Sequence, residues 1–197
     1  MNPDILAVIL AGGASSRMGR DKRALPFGPD TMLTHLIKEY RRGFPVAVSV
    51  RTPEHLPDAG GVPELADLSP GQGPLAGLQS AFRLTEARQI FLTATDLPFG
   101  RLDLAERLAE LWTPEADACV IRRRDGGIEP LFALYRRSCL APAEACLRQG
   151  RRSFRTLLER IRVRWVAEDA LSGWPLAEIL DNINTPEDYQ RALERLR

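Results

Sequence analysis

Short apolar runs alternate with amphipathic stretches over the first two thirds of the chain. Continuous apolar runs predict buried strands, and apolar residues spaced three and four apart predict helices that each bury one face. The predicted strands are Ile5–Leu10, Val46–Val50, Gln89–Thr93 and Ala118–Ile121, and the predicted helices are Thr31–Arg42, Gly77–Thr85 and Asp103–Leu111. Strands that alternate with helices predict an α/β fold with a mostly parallel central sheet and helices on both faces.

The alternation stops after Ile121. Residues 122–127 are typical of a hairpin or an exposed loop. The segments predicted beyond it are a strand at 131–135, helices near 141–149 and 153–161, a strand at 163–166 and a short helix that ends at 196. Because no repeat, linker or low-complexity tract interrupts the chain, we expect a single domain over residues 1–197.

Composition and charge exclude several classes of protein. With 197 residues, 44% hydrophobic and 27% charged, the chain has the composition of a globular domain. Its net charge of +1 gives no broad basic surface for nucleic acid, and no apolar run is long enough to span a membrane. The start of the chain lacks the pattern of a signal peptide, and Cys119, Cys139 and Cys146 lack the spacing of a zinc site. We therefore expect a cytoplasmic protein with no nucleic-acid or membrane partner.

A glycine-rich loop, Leu10–Lys22, follows the first predicted strand directly. Ligands of open α/β sheets bind beyond the carboxyl ends of the strands, where this loop begins. Gly12 and Gly13 let backbone amides approach a ligand closely, and Arg17 and Lys22 add positive charge. Only two of the 27 basic residues are lysines, so a lysine in this loop is less expected by chance. The loop predicts a polyphosphate site, with a purely structural turn as the alternative.

Two aspartates accompany this loop. Asp96 comes just after the third predicted strand, where a carboxylate can face the first loop and hold Mg²⁺ together with phosphate oxygens. The alternative is an ordinary loop aspartate that caps a turn before Pro98. Asp67 precedes a loop rich in glycine and proline, and its alternative is a solvated carboxylate.

The motifs, taken in order, resemble the molybdenum cofactor guanylyltransferase family. The first consists of Leu10-Ala11-Gly12-Gly13, Arg17-Met18-Gly19 and Asp21-Lys22, and further matches are Gly73–Gly77, Asp96–Pro98, Glu129–Leu131 and Asn182–Asp188. The resemblance spans nearly the whole chain. It implies a Rossmann-like nucleotidyltransferase fold in which residues 1–121 mainly bind nucleotide and residues 122–197 mainly bind molybdopterin.

The resemblance also implies an activity. The enzyme would transfer GMP from GTP to the terminal phosphate of molybdopterin and release pyrophosphate, with Mg²⁺ as cofactor. The implied catalytic residues are Arg17, Lys22 and Asp96, with Asp96 also the metal ligand. Nucleotide binding is implied for Leu10, Ala11, Gly12, Gly13, Lys22, Asp67 and Asp96, and molybdopterin binding for Asn182 and Asn184. Molybdoenzyme acceptors or chaperones would be further partners.

Asn182 and Asn184 lie two residues apart, so both amides face one side of an extended segment. An amide both donates and accepts hydrogen bonds, which suits a pterin edge or its phosphate. The alternative is that this segment only caps the last helix, with Thr185 as the cap and Asp188 as the acid of a capping box. Both interpretations are compatible, and Asn182 is then the more functional of the two amides.

The chain departs from the family near the end of the second strand, where relatives carry Asn and this chain has Ser49 as a candidate substitute. The resemblance suggests that Gly13 in Leu10-Ala11-Gly12-Gly13, where cytidylyltransferase relatives tend toward Leu-Ala-Ala-Gly, leaves room for the larger guanine. The alternative functions are a molybdopterin cytidylyltransferase, a sugar-phosphate nucleotidyltransferase, and a cofactor carrier without catalysis. Arg122–Arg124 are interpreted as a solvated turn, with contact to an anionic cofactor or a partner as the alternative. Arg151, Arg152 and Arg155 are interpreted as a solvated helix start, with contact to the pterin phosphate as the alternative.

Overall fold

The structure is a computed structural model that describes residues 4–12, 22–52 and 59–196. Its strands are β1 Ile5–Leu10, β2 Pro26–Phe27, β3 Asp30–Thr31, β4 Val46–Val50, β5 Glu64–Ala66, β6 Gln89–Ala94, β7 Ala118–Arg122, β8 Ile128–Arg136 and β9 Val163–Ala167. Its α-helices are α1 Met32–Arg41, α2 Pro74–Leu84, α3 Leu102–Leu111, α4 Leu140–Arg148, α5 Phe154–Leu158, α6 Leu176–Ile179 and α7 Pro186–Glu194.

Within the described residues, the central sheet has seven strands in the order β5-β4-β1-β6-β8-β7-β9. Only β8 runs against its neighbours β6 and β7, and the other pairs in this sheet are parallel. The reversal follows from the short connection between β7 and β8, because parallel neighbours need a longer crossover. The mostly parallel sheet with helices on both faces confirms the predicted fold class.

Two apolar cores lie on opposite faces of the sheet. Helices α1, α3 and α6 pack on one face, where the ring of Phe91 contacts the rings of Tyr40 and Phe132. Helices α2, α4 and α5 pack on the other face. A third, smaller cluster joins the β2–β3 hairpin to α7 through Phe27 and Ile183. This cluster holds the C-terminal segment against the part of the chain that follows the glycine-rich loop.

The predicted element boundaries are largely confirmed. Thr31 caps α1 by accepting a hydrogen bond from the backbone of Thr34, and Thr185 and Asp188 form a capping box at α7. Helix α2 begins at Pro74, three residues before the predicted start, because proline is well suited to the first turn of a helix. Strands β2, β3 and β5 were not predicted, since two or three residues show no periodicity. None of the described helices is both long and apolar enough to cross a membrane.

Candidate active site

A cleft of about 500 Å³ lies at the carboxyl edge of the sheet, where β1, β4, β5 and β6 end. Its walls come from the loops after these strands, the start of α2, one residue of β8 and the segment before α7. The lining residues are Leu10, Ala11, Gly12, Arg23, Ser49, Arg51, Asp67, Gly71, Gly73, Pro74, Gly77, Ala94, Thr95, Asp96, Leu131 and Asn184.

Backbone hydrogen bonds hold the strand ends of this cleft together. The Ala11 amide donates to the Ser49 carbonyl at 2.8 Å, and the Thr95 amide donates to the Leu10 carbonyl at 3.1 Å. The Asp67 amide donates to the Val50 carbonyl at 2.9 Å, just beyond β5. The first residues of each loop therefore continue the sheet, and their positions relative to one another are set by main-chain geometry.

Two glycines allow the main chain to approach closely around the cleft. A Cβ atom at Gly77 would lie 2.6 Å from Leu10 Cδ2 and 3.0 Å from Ser49 Oγ, although Gly77 stands inside a helix where Ala is intrinsically favoured. A Cβ atom at Gly12 would lie 3.0 Å from the backbone nitrogen of Arg51. Side chains at these positions would separate α2 from β1, and β1 from the end of β4.

Asp67 is a half-buried carboxylate with a defined donor. The buried hydroxyl of Ser49 donates to Asp67 Oδ1 at 3.3 Å. Burial raises the pKa of Asp67, while the Ser49 hydrogen bond and the positive charge of Arg51 oppose that rise. Ser49, which stands where relatives carry Asn, therefore contacts Asp67 and helps to fix the position of its carboxylate.

Asp96 follows β6 and lines the cleft on the side opposite Asp67 in the strand order. Its main-chain carbonyl accepts a 2.8 Å hydrogen bond from the Ile183 amide, which ties the C-terminal segment to this position. Among the described residues, no three His, Cys, Asp or Glu side chains are grouped as a metal cage. A single carboxylate fits Mg²⁺, which commonly binds one or two carboxylates together with substrate phosphates.

The C-terminal segment brings one of the two predicted asparagines to the cleft. Ile183 is buried in the third cluster, so its neighbours Asn182 and Asn184 are both exposed. Asn184 lines the cleft, and Asn182 is not among the lining residues. The backbone N–H of Asn184 donates to Asp188 Oδ2 at 2.9 Å. This bond is the main reason why the pKa of Asp188 falls to about 2. The segment therefore caps α7 and lines the cleft at once.

The structure brings together six of the predicted site residues: Leu10, Ala11, Gly12, Asp67, Asp96 and Asn184. Gly13 and Arg17 lie outside the described residues. Lys22 begins a short 3₁₀ turn, Lys22–Ala24, and the description does not extend to its side chain.

Arg23, Arg51 and Leu131 also line the cleft. Sequence reasoning missed both arginines, whereas Leu131 belongs to the family match Glu129–Leu131. Arg51 could have been found, because it directly follows β4 as Asp96 follows β6. The place of Leu131 in the cleft wall does not follow from local pattern, because it depends on the reversed direction of β8. Glu129, in the predicted match beside Leu131, forms an ion pair with Arg123 at 2.8 Å and is not among the lining residues.

Known proteins share both the sequence and the fold. Residues 7–166 match the family described as MobA-like NTP transferase domain. The chain is 32% identical over 194 residues to a probable molybdenum cofactor guanylyltransferase of Carboxydothermus hydrogenoformans, with 97% of this chain and 96% of that protein covered. It is 34% identical over 210 residues to a molybdenum cofactor guanylyltransferase of Rhizobium johnstonii, with 98% and 95% covered.

A solved structure agrees with these relatives. The crystal structure of molybdopterin-guanine dinucleotide biosynthesis protein A from Archaeoglobus fulgidus superposes with a TM-score of 0.85 at 27% identity, and 98% of each chain is covered. Its coverage includes the cleft and the C-terminal segment that contributes Asn184. This chain is a nucleotidyltransferase and belongs to the molybdenum cofactor guanylyltransferase family.

Proposed function

We propose that this enzyme transfers GMP from GTP to the terminal phosphate of molybdopterin, with Mg²⁺ as its cofactor. The observation that carries the proposal is the convergence of the Leu10–Gly12 backbone, Asp67, Asp96 and Asn184 on one cleft. These groups come from four separate parts of the chain. Together they offer main-chain donors, two carboxylates and an amide within a space large enough for a nucleotide.

The nucleotide would lie over the ends of β1, β4 and β5. There Gly12 and Gly77 keep β1, the end of β4 and the start of α2 close together around the cleft. The Ser49-bound carboxylate of Asp67 accepts hydrogen bonds from nucleotide donors. Lys22 and Arg17 are proposed to neutralise the phosphates. Guanine is preferred over cytosine in this proposal because the motif Leu10-Ala11-Gly12-Gly13 has one methyl group fewer than Leu-Ala-Ala-Gly and so leaves more room for the base.

In the reaction, an oxygen of the acceptor phosphate forms a bond to the α-phosphorus of GTP while the bond to the β-phosphate oxygen breaks. Pyrophosphate leaves with the electron pair, so no covalent enzyme intermediate is needed. Asp96 and the triphosphate would hold the Mg²⁺ ion, which, when bound, neutralises charge that builds up on phosphate oxygens. Asn184, on the C-terminal side of the cleft, would orient the acceptor.

The test separates binding from transfer. Thermal unfolding is measured with Mg²⁺ and either GTP, CTP or ATP. GTP at a hundred times its dissociation constant should raise the unfolding midpoint by roughly 5–11 °C. GTP labelled in its α-phosphate should then pass its label to molybdopterin with release of one equivalent of pyrophosphate. Labelling from CTP in place of GTP would assign the cytidylyl reaction, and GTP binding without any transfer to molybdopterin would contradict the proposal.

A further inference from the structure

A second groove, of about 350 Å³, lies between the β7–β8 hairpin, helix α5 and strand β9. Ile128, Leu158 and Trp165 form its apolar part. Its polar lining comprises Arg122, Arg155 and Glu159. The proposed reaction assigns none of these residues a role, and for the two arginines the sequence left contact with an anionic group only as the alternative to a solvated surface.

The groove lies beside the cleft and beyond Asp96. In the sheet, β6 carries Asp96 at its end and is followed by β8, β7 and β9, so β7 lies roughly 10 Å past β6. Leu131 lines the cleft and Ile128 lines the groove, only three residues apart on β8. Asp67 follows β5, which lies at the opposite edge of the sheet from β9. A ligand that extends from Asp96 away from the nucleotide therefore meets this groove next.

A second chain segment makes the same connection. Arg152 Nη1 lies 3.5 Å from the carbonyl oxygen of Gly71, which lines the cleft. Arg155, three residues later, lines the groove. The segment from Arg152 to Arg155, which includes the start of α5, thus contacts the cleft at one end and the groove at the other.

The arginines of the hairpin differ in what they contact. Arg123 pairs with Glu129, and Arg124 pairs with Asp169. Arg122 instead stacks on Trp165, with its guanidinium carbon 4.2 Å from the ring centroid. Within the described part of the chain, neither Arg122 nor Arg155 forms an ion pair, so both keep their charge available to a ligand.

We infer that this groove holds the pterin end of the acceptor substrate, an inference that rests on the proposed function. A pterin is a planar heterocycle, which suits stacking against the Arg122–Trp165 pair. Its 2-amino group and adjacent ring N–H form a donor edge that a carboxylate such as Glu159 accepts. The anionic sulfur and oxygen groups of molybdopterin suit Arg155. The phosphate arm then points back past Leu131 toward Asp96.

The first test uses Arg155→Ala and Glu159→Gln, because both side chains are exposed and their replacement leaves the core intact. At saturating GTP, each variant should raise the KM for molybdopterin at least about tenfold, while the dissociation constant for GTP alone stays unchanged. Arg124→Ala is the matched control, since Arg124 is an exposed arginine of the same hairpin outside the groove. Unchanged KM for molybdopterin, or a weakened affinity for GTP in its place, would overturn the inference.

A second measurement keeps this result distinct from the proposed function. Pterin-6-carboxylate is fluorescent, so its binding can be titrated without any turnover. If the unaltered enzyme transfers no GMP, the proposed function fails and this titration decides the groove. Binding that is weakened in both variants and unchanged in Arg124→Ala supports the groove. Equal binding in all variants, or no binding to the unaltered enzyme, overturns it.

Discussion

The two sides of the carboxyl edge are built in different ways. On the side of β1, β4 and β5, main-chain hydrogen bonds join the strand ends, and Gly77 packs so closely that an added Cβ would lie 2.6 Å from Leu10. On the side of β7, β8 and β9, side chains form the surface, as in the stacking of Arg122 on Trp165. At Gly77 the first surface accepts no Cβ atom without displacement of Leu10, whereas the second surface can change its polar side chains while the backbone stays in place.

The difference extends to charge. Asp67 on the first side is half-buried, and a buried hydroxyl and an arginine counter the effect of burial on its pKa. Arg155 on the second side is exposed and has no ion-pair partner among the described residues. We infer that the first side, which is fixed by main-chain packing, binds the nucleotide without rearrangement. On the second side, exposed charged side chains such as Arg155 become ordered when a ligand binds.

The largest expected effect is at Asp96, where the two sides meet. Asp96→Ala removes the proposed metal ligand, and kcat for GMP transfer should fall at least about a thousandfold. The fold should survive, because the carbonyl that accepts from the Ile183 amide belongs to the main chain. Steady-state rates at several Mg²⁺ concentrations test this, with the exposed Asp169→Ala as control. Activity above a tenth of the unaltered rate would refute the metal role.

Gly77→Ala tests whether the close packing of α2 on β1 supports the nucleotide side of the cleft. The new methyl group would collide with Leu10 and Ser49, so GTP affinity should fall about tenfold and the free energy of unfolding by about 1–3 kcal/mol. Isothermal titration with GTP and chemical denaturation measure the two effects. Gly173→Ala is the control, because nothing lies within 4 Å of a Cβ there. If Gly77→Ala binds GTP normally, the close packing of α2 has no role in nucleotide binding.

Ser49→Ala sharpens the electrostatic part of the comparison. The loss of its hydrogen bond should raise the pKa of Asp67 further, because that bond opposes the effect of burial. The ionised carboxylate is then lost at a higher pH as the solution is acidified. GTP affinity should fall about fivefold at pH 5.5 and converge toward the unaltered value at pH 8. Titrations with GTP from pH 5 to 8 check this, and an equal loss at every pH would exclude an effect through protonation.

The smallest expected effect concerns the anchoring of Asn184 on the second side. Thr185→Ala removes the cap of α7 and should lower the free energy of unfolding by about 1 kcal/mol. The KM for molybdopterin should rise severalfold with GTP affinity unchanged. Thr31→Ala, which removes the cap of α1, is the matched control for stability alone. Equal KM values for molybdopterin in the two variants would show that the Thr185 cap has no role in positioning the substrate.

The same cap has a defined pH dependence. The fold lowers the pKa of Asp188 to about 2 from its ordinary value of 3.8. A lowered pKa means that the carboxylate contributes stability above pH 3.8, and that this contribution is lost as the pH falls toward 2. Acid unfolding of Asp188→Asn should therefore lack this part of the transition.

Local patterns in the sequence determined most of the elements and several site residues. The apolar runs of β1, β4 and β6 and the caps at Thr31 and Thr185 depend on neighbouring residues only, so periodicity and residue type predict them. Asp67 and Asp96 follow from the rule that ligands bind at strand ends. A short strand such as β5 escapes this kind of reasoning, because three residues carry no period.

Only the tertiary structure decided which of two similar residues lines the cleft or the groove. Asn182 and Asn184 have the same side chain and lie two residues apart, yet of the two only Asn184 lines the cleft. Arg122 differs from Arg123 and Arg124 only through partners that come from β8, β9 and the turn after β9. The requirement for glycine at position 77 likewise comes from Leu10, far away in the chain. The sequence determines such residues only through the packing of distant segments, which local periodicity does not record.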